Sequence, residues 1–373
     1  MDYVGVTDLG LRRANNQDNL AVVLAGSEEQ FQRRGHLFLV ADGMGAHAAG
    51  ELASKMAADE IPLTYLKHPG RDPAEALRIA IQQANQKIHL RGQESEDFRG
   101  MGTTVSALVL LPQGALVAHV GDSRVYRLRG NMLEQFTFDH SLAWELNRDR
   151  PKTEISPNIP KNIILRSLGP RDTVEVDLEG YDPLEPGDTF LVCTDGLSGQ
   201  VSNEEIGVIL QCLPPKEALQ LFVDLANLRG GPDNITGIVV QVRAALKTAD
   251  QDTSASKSKK TTRSVSAKQG LWAKLFGWMG IARSSPKQWG EGPYQTVACV
   301  PGPAVVDALQ KVVQELRTAA ANSQWQIDWD QFNRHESAGQ QAAQNQQFVE
   351  AVQHFGRAIL GMMHQLRQQR PKS

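Results

Sequence analysis

The sequence predicts an α+β fold in which antiparallel strands form a β-sandwich and helices pack outside it. Three observations carry this. Short apolar runs recur along the first 243 residues, as in Leu37–Val40, Val105–Leu111, Ala115–Val120, Thr189–Cys193 and Ile235–Val242. Runs of this length, closed by turn residues, read as strands. Gly114 joins two of them by a turn so short that they must run antiparallel. Between such runs lie segments with helical spacing. Pro73–Arg91 places Ala76, Leu77, Ala80, Ile81, Ala84 and Ile88 on one face, which asks for a sheet to pack on.

Taken in order, Tyr3–Thr7 is a short strand leading into Gly10-Leu-Arg-Arg13, and Leu20–Leu24 is the next. Leu37–Val40 is a buried strand that Asp42-Gly43 closes. Glu51, Leu52, Ala53, Lys55 and Met56 then favour a helix. After the hairpin at Gly114, Asp139–Gly169 is rich in proline (Pro151, Pro157, Pro160) and polar residues and reads as a mobile surface excursion. Val174–Leu178 and Thr189–Cys193 are further strands, and Asn203–Leu213 and Pro215–Asn227 are helices. The glycine-rich turn Arg229–Asn234 leads into the last strand.

Five aspartates stand at the ends of five of these β-like runs. Asp42, Asp122 and Asp195 close theirs, while Asp18 and Asp233 open theirs. Any one alone is an ordinary turn residue. Five that converged would require a cation, because like charges a few ångströms apart do not all stay ionised unpaired. Mg²⁺ and Mn²⁺ suit such a set, since hard ions prefer carboxylate, carbonyl and water oxygens and no Cys/His ligand set is visible. Spacing alone leaves convergence open.

The motifs go further. Arg13-Ala-Asn-Asn16-Gln17-Asp18, Asp42-Gly-Met-Gly-Ala-His47, Met101-Gly-Thr-Thr104, Gly121-Asp-Ser-Arg124, Asp139-His-Ser141, Arg166-Ser-Leu-Gly169, Thr194-Asp-Gly-Leu197 and Asp233-Asn234 follow one another at fitting intervals. In that order they resemble the bacterial branch of the metal-dependent Ser/Thr protein phosphatases (PPM, type 2C). The resemblance covers residues 1 to about 243 and implies a four-layer α-β-β-α sandwich of two antiparallel sheets. It also implies two Mn²⁺ or Mg²⁺ ions that activate a water against phosphoserine or phosphothreonine, without a phosphoenzyme. By this resemblance Asp42 bridges the metals and the Gly43 carbonyl completes one sphere. Asp18, Asp195 and Asp233 are further ligands, and Asp122 serves a third, looser site shared with Asp195. Arg13 holds the substrate phosphate, and His47 protonates the leaving oxygen or is a structural histidine. Gln17 departs from the family's usual Glu and supplies no charge. Ser123 and Arg124 read as a plain turn. The rival reading is a pseudophosphatase that binds phosphoproteins without turnover and whose C-terminal module carries the function. Retention of all five aspartates speaks against it.

Composition describes a soluble globular protein: 373 residues, 41% apolar, formal net charge −3. No basic excess argues for nucleic acid. The apolar runs fall short of the ~18 residues of a membrane span. Met1-Asp2-Tyr3-Val4 lacks a signal-peptide pattern, and Cys193, Cys212 and Cys299 offer neither metal spacing nor even pairing, so a reducing cytoplasm is expected. Residues 246–270 are Ser/Thr/Lys-rich and read as a flexible basic linker. Leu271–Ala282 is short and aromatic, with a docking segment or module core favoured over a membrane interface. Five of the six tryptophans lie in the last third, enough for a small core. Val305, Leu309, Val312, Val313 and Leu316 mark one helix. Residues 339–359 resemble a single tetratricopeptide-type hairpin. Residues 271–373 are therefore expected to be a small helical, protein-binding accessory module. A chain ended near Ala245 is expected to fold and keep its chemistry.

Overall fold

The computed structural model describes residues 1–45, 48–68, 70–147, 163–243, 292–323 and 325–369. In chain order the strands and helices are β1 (Asp2–Asp8), β2 (Asp18–Val23), α1 (Glu28–Arg34), β3 (His36–Met44), α2 (Ala49–Leu66), α3 (Pro73–Gln93), β4 (Gly102–Thr103), β5 (Val105–Leu111), β6 (Gly114–Val120), β7 (Arg124–Arg129), β8 (Met132–Gln135), α4 (Leu142–Asn147), β9 (Asp177–Asp182), β10 (Thr189–Cys193), α5 (Asp195–Ser198), α6 (Asn203–Cys212), α7 (Pro215–Leu228), β11 (Ile235–Gln241), β12 (Gln295–Ala298), α8 (Pro303–Asn322), α9 (Trp329–Gln344) and α10 (Phe348–Gln369).

Two antiparallel sheets form, in the orders β1-β11-β10-β7-β8-β12 and β2-β3-β5-β6-β9, with β4 beside β3. The period-2 pattern explains how each strand serves two cores. Phe38, Val40, Leu108, Leu110, Val125, Phe190, Val192, Ile238 and Val240 meet between the sheets. Their alternates Leu37, Leu39, Ala107 and Val109 face α2 and α3. Tyr126, Leu191 and Val239 face α6 and α7 on the far side. The α-β-β-α layering expected from the sequence is the result.

Four details differ from expectation. β3 runs through Asp42-Gly43 instead of ending there, because Gly43 and Met44 pair with Thr103 and Gly102 of β4. β9 begins at Asp177, later than the apolar residues Val174 and Val176 suggest; these two pack under the helices instead. Ser123 and Arg124 are not a plain turn. Ser123 is buried against Thr104, and Arg124 opens β7 with its guanidinium on Asp139.

The fourth concerns the C-terminal third. β12 adds to the edge strand β8, and Cys299 lies so close to α6 that a Cβ on Gly207 would meet its Sγ at 2.3 Å. The helices α8, α9 and α10 share one apolar cluster with α6 and α7, in which Phe355, Val352 and Leu309 are buried with Leu213, Leu221 and Leu225. The helical hairpin at 339–359 is present as α9 and α10. The linker at 246–270 and the aromatic segment Leu271–Ala282 lie outside the described residues.

Candidate active site

The site sits where strand ends of both sheets meet. In the β2–β3 ladder Asp18 and Asp42 are direct partners. Two carboxylates opposite one another on neighbouring strands repel. Asp195 arrives from the start of α5, Asp122 from the turn after β6, and Asp233 from the turn before β11. The Asp42 carboxyl is held well above the usual carboxylate range, first by burial and then by the charges of Asp18, Asp195, Asp122 and Asp233. Burial pushes Asp18 up to about 7, with Asp195 and Asp233 adding to it against hydrogen bonds from Thr236 and Thr194. Burial and Asp195 push Asp122 up to about 8. Asp195 is likewise raised, by burial and Asp233. The five aspartates do converge.

The cluster opens to solvent on one side. Asp18 and Asp122 are buried, Asp42 and Asp195 half-buried, and the Asp233 side chain is 30% exposed. Arg13, on the loop between β1 and β2, stands at this mouth and donates from Nη2 to Asp233 Oδ2 at 2.7 Å. Gly10 in the same loop has φ +76°, and a Cβ there would meet the Asp233 carbonyl at 2.1 Å. The Arg13 loop is thus pressed onto the Asp233 turn.

Several positioning residues escaped the sequence reading. Thr194 Oγ1 donates to Asp18 Oδ2 at 2.8 Å. Asn234 accepts from the Gln17 backbone and donates to the carbonyls of Leu9 and Asn15, so it laces the Arg13 loop to β11. Thr103 and Thr104 bond the Asp42 backbone on both sides. Their only signal was adjacency to an aspartate or a place within a matched motif. Gln17 accepts from Gly43 N and Ser54 Oγ through its backbone carbonyl, a role its missing side-chain charge does not affect. At the foot of the excursion, Gly121 N donates to His140 Nδ1, His140 Nε2 lies 2.8 Å from Asp177 Oδ2, and Arg166 reaches Asp177 Oδ1 at 2.6 Å. Both described ends of the Asp139–Gly169 segment are therefore anchored. Its middle lies outside the described residues, as does His47.

The residues fit divalent cations. Asp122 Oδ1 and Asp195 Oδ1 are buried acceptors with no hydrogen-bond partner, and a cation satisfies such an oxygen where another acceptor does not. Among the described residues no three His, Cys, Asp or Glu side chains stand ready-made as a closed ligand set. An ion such as Mg²⁺ needs none, because it keeps several waters and takes one or two carboxylates.

Comparison with known proteins agrees. The model of the protein phosphatase 2C family matches residues 12–227. A putative protein phosphatase 2C-type of Streptococcus pyogenes is 41% identical over 238 residues, covering 62% of this chain and 93% of the relative. The serine/threonine phosphatase of S. agalactiae superposes with a TM-score of 0.56 at 34% identity, over 65% of this chain and 99% of that one. The catalytic domain of the phosphatase PstP, solved in complex with two manganese ions, gives a TM-score of 0.55 at 33% identity, over 65% and 98%. With the motifs in order, the layered sheets in place and the carboxylates gathered at their mouth, the chain belongs to the protein phosphatase 2C family.

Proposed function

We propose that this chain is a protein serine/threonine phosphatase working with two Mn²⁺ or Mg²⁺ ions, held by Asp18, Asp42, Asp195, Asp233 and the Gly43 carbonyl, with Asp122 at a looser third position. The observation that carries this is the Asp18–Asp42 pair, two carboxylates set opposite one another with three more beside them. Such an arrangement is costly unless cations bind there. When bound, the metal supplies Lewis acidity that readies a water and neutralises charge on the phosphoryl group. The chain's own part is to hold and orient. Arg13 presents a planar fork at the mouth, suited to two oxygens of a phosphate ester. Its bond to Asp233 keeps that fork aimed across the cluster before substrate arrives. Thr194 and Thr236 fix the Asp18 carboxylate, so the ligand set needs little reorganisation.

Phosphoproteins are the substrates in this reading. The outer surface of α8–α10 meets a protein partner, and the compartment is the cytoplasm, which the three free, buried cysteines favour. No described helix is long and apolar enough to cross a membrane. The test is hydrolysis of p-nitrophenyl phosphate and of phosphothreonine peptides, with and without Mn²⁺. Undiminished turnover after exhaustive EDTA dialysis sinks the metal mechanism. Arg13→Ala is expected chiefly to raise KM; an effect on kcat alone contradicts its role.

A further inference from the structure

The described part of the C-terminal third begins with Gly292-Pro-Tyr294, just ahead of β12. This short stretch is built onto the foot of the Asp139–Gly169 excursion. Glu179 of β9 is only 5% exposed, and both its oxygens accept from the stretch: Oε1 from the Tyr294 hydroxyl at 2.6 Å and Oε2 from Gly292 N at 3.3 Å. A buried carboxylate met in this way marks a dock, since it is costly without those donors. Tyr294 N also donates to the Gln135 carbonyl at 2.9 Å. The Tyr294 ring is thereby held edge-on to Phe138, with centroids 5.6 Å apart at 68°. Phe138 meets Trp144 of α4 in the same manner, at 5.5 Å and 74°, and the Arg124 guanidinium lies 5.7 Å from the Trp144 ring centre. Ring pairs at these distances and angles attract beyond the area they bury. The row Tyr294, Phe138, Trp144, Arg124 thus joins the C-terminal third to the Gly121–Arg124 motif.

The excursion's two ends flank the carboxylates. His140 N donates to the carbonyl of Gly121, one residue before Asp122, at 2.7 Å, and Asp139 holds Arg124. At the other end Leu168 pairs with Thr103, whose hydroxyl donates to the Asp42 carbonyl at 2.9 Å. We propose that Tyr294 is a positioning residue for phosphoprotein turnover: its ring, acting through Phe138, fixes α4 beside the site, so the C-terminal third shapes a flank on which the substrate chain lies. A small phosphate ester has no chain to lay there and does not use that flank. The bearing on substrate rests on the phosphatase reading above; the fixing of α4 does not.

Hydrogen exchange of the full chain, read by mass spectrometry, tests the fixing of α4. In Tyr294→Ala the amides of Leu142–Asn147 are expected to exchange about tenfold faster, the upper range for loss of one aromatic pair, while those of β10 and β11 keep the parent's rate. The ratio of kcat/KM for a phosphothreonine peptide to that for p-nitrophenyl phosphate is expected to fall by a similar factor, through the peptide's KM. Tyr294→Phe keeps the ring and gives up the hydroxyl. It is expected to lie near the parent in both readouts, because β12 and the backbone bond to Gln135 still hold the ring in place. Unchanged α4 exchange overturns the proposal. So does loosening that reaches β10 and β11 equally, since Tyr294 would then be an ordinary part of the core. A Tyr294→Phe chain as loose as Tyr294→Ala overturns the route through Phe138. If Tyr294→Ala does not fold, Phe138→Leu cuts the same row one ring further in and is held to the same outcomes. Faster α4 exchange with an unchanged ratio in an active enzyme overturns the bearing on substrate. Faster α4 exchange in a chain that shows no metal-dependent turnover supports the fixing of α4 and counts against the phosphatase reading alone.

Discussion

Two regions of this molecule bury acidic side chains, and they do it in opposite ways. Against the C-terminal helices the buried carboxylates of Asp224 and Glu336 each meet an arginine, Arg367 and Arg317, and the half-buried Glu217 meets Arg357 at 2.9 Å. At the sheet mouth Asp18, Asp42, Asp122, Asp195 and Asp233 crowd one another, and Arg13 pairs with the outermost alone. Pairing of the first kind holds helices in register and can be replaced by packing. Unpaired crowding of the second kind gives the fold nothing unless a cation arrives. The difference separates what is structural from what is functional without reference to any relative.

The largest effect is expected where the paired region is removed. A chain ended near residue 245 would uncover Leu213, Leu221 and Leu225 and lose β12 from the sheet edge, so it is expected to be insoluble or unfolded. This reverses what the composition of the linker suggests. A milder version is Phe355→Ala in the full chain, which empties a fully buried ring site and is expected to cost about 3–5 kcal/mol, read by urea unfolding. Normal stability in both would make the helices a free module after all.

Why the sequence reveals the helix α10 but not its dock is physical. Val352, Phe355 and Ile359 at helical spacing say that a face is buried, and nothing in their spacing says against what. β12 is four residues long, too short for its alternation to stand out. The carboxylates are a similar case. Residues 18, 42, 122, 195 and 233 each sit at a strand end, but only the β2–β3 register brings Asp18 opposite Asp42. The layered sheets were legible because the central strands β3, β5, β6, β10 and β11 had to satisfy two apolar faces.

The next effect belongs to the crowded region. Asp42→Asn and Asp195→Asn are each expected to lower kcat on p-nitrophenyl phosphate by more than about 10²–10³, the loss typical of one transition-state donor. Metal-free stability should hold or rise, since one of several like charges is gone. Melting in EDTA checks this. A variant that melts well below the parent there would mean that the carboxylates are structural, like those facing the helices.

Metal addition should distinguish the regions again. Mn²⁺ at 100 times its Kd is expected to stabilise the parent by about 2.7 kcal/mol for each occupied site. The same increment should survive in Phe355→Ala and vanish in Asp42→Asn. An increment lost in both would tie the helices to the metal site.

The smallest effect is a pair of opposing pH slopes. His119, buried between the sheets' polar ends, bonds Ser106 Oγ and the Phe138 carbonyl and stacks on His140 at 4.8 Å. Burial, then His140, pulls it down to about 3 from its ordinary 6.5, against the pull of Asp177. Between those values the unfolded chain binds the proton that the folded one refuses. The share of the stability that comes from His119 should therefore fall as pH drops below about 6.5, by at most about 1.4 kcal/mol per unit. Asp224 behaves in reverse. Burial outweighs Arg367 and lifts its carboxyl to about 6, so from pH 6 down to about 4 the folded chain binds the extra proton and gains stability. Denaturant titrations of the parent, His119→Asn and Asp224→Asn between pH 4 and 8 resolve the two. Relative to the parent, His119→Asn should gain stability as pH falls from about 6.5, and Asp224→Asn should lose it as pH falls from about 6. If Asp224→Asn instead leaves the profile unchanged, Arg367 compensates that carboxylate fully and the helix contact is a balanced ion pair at every pH.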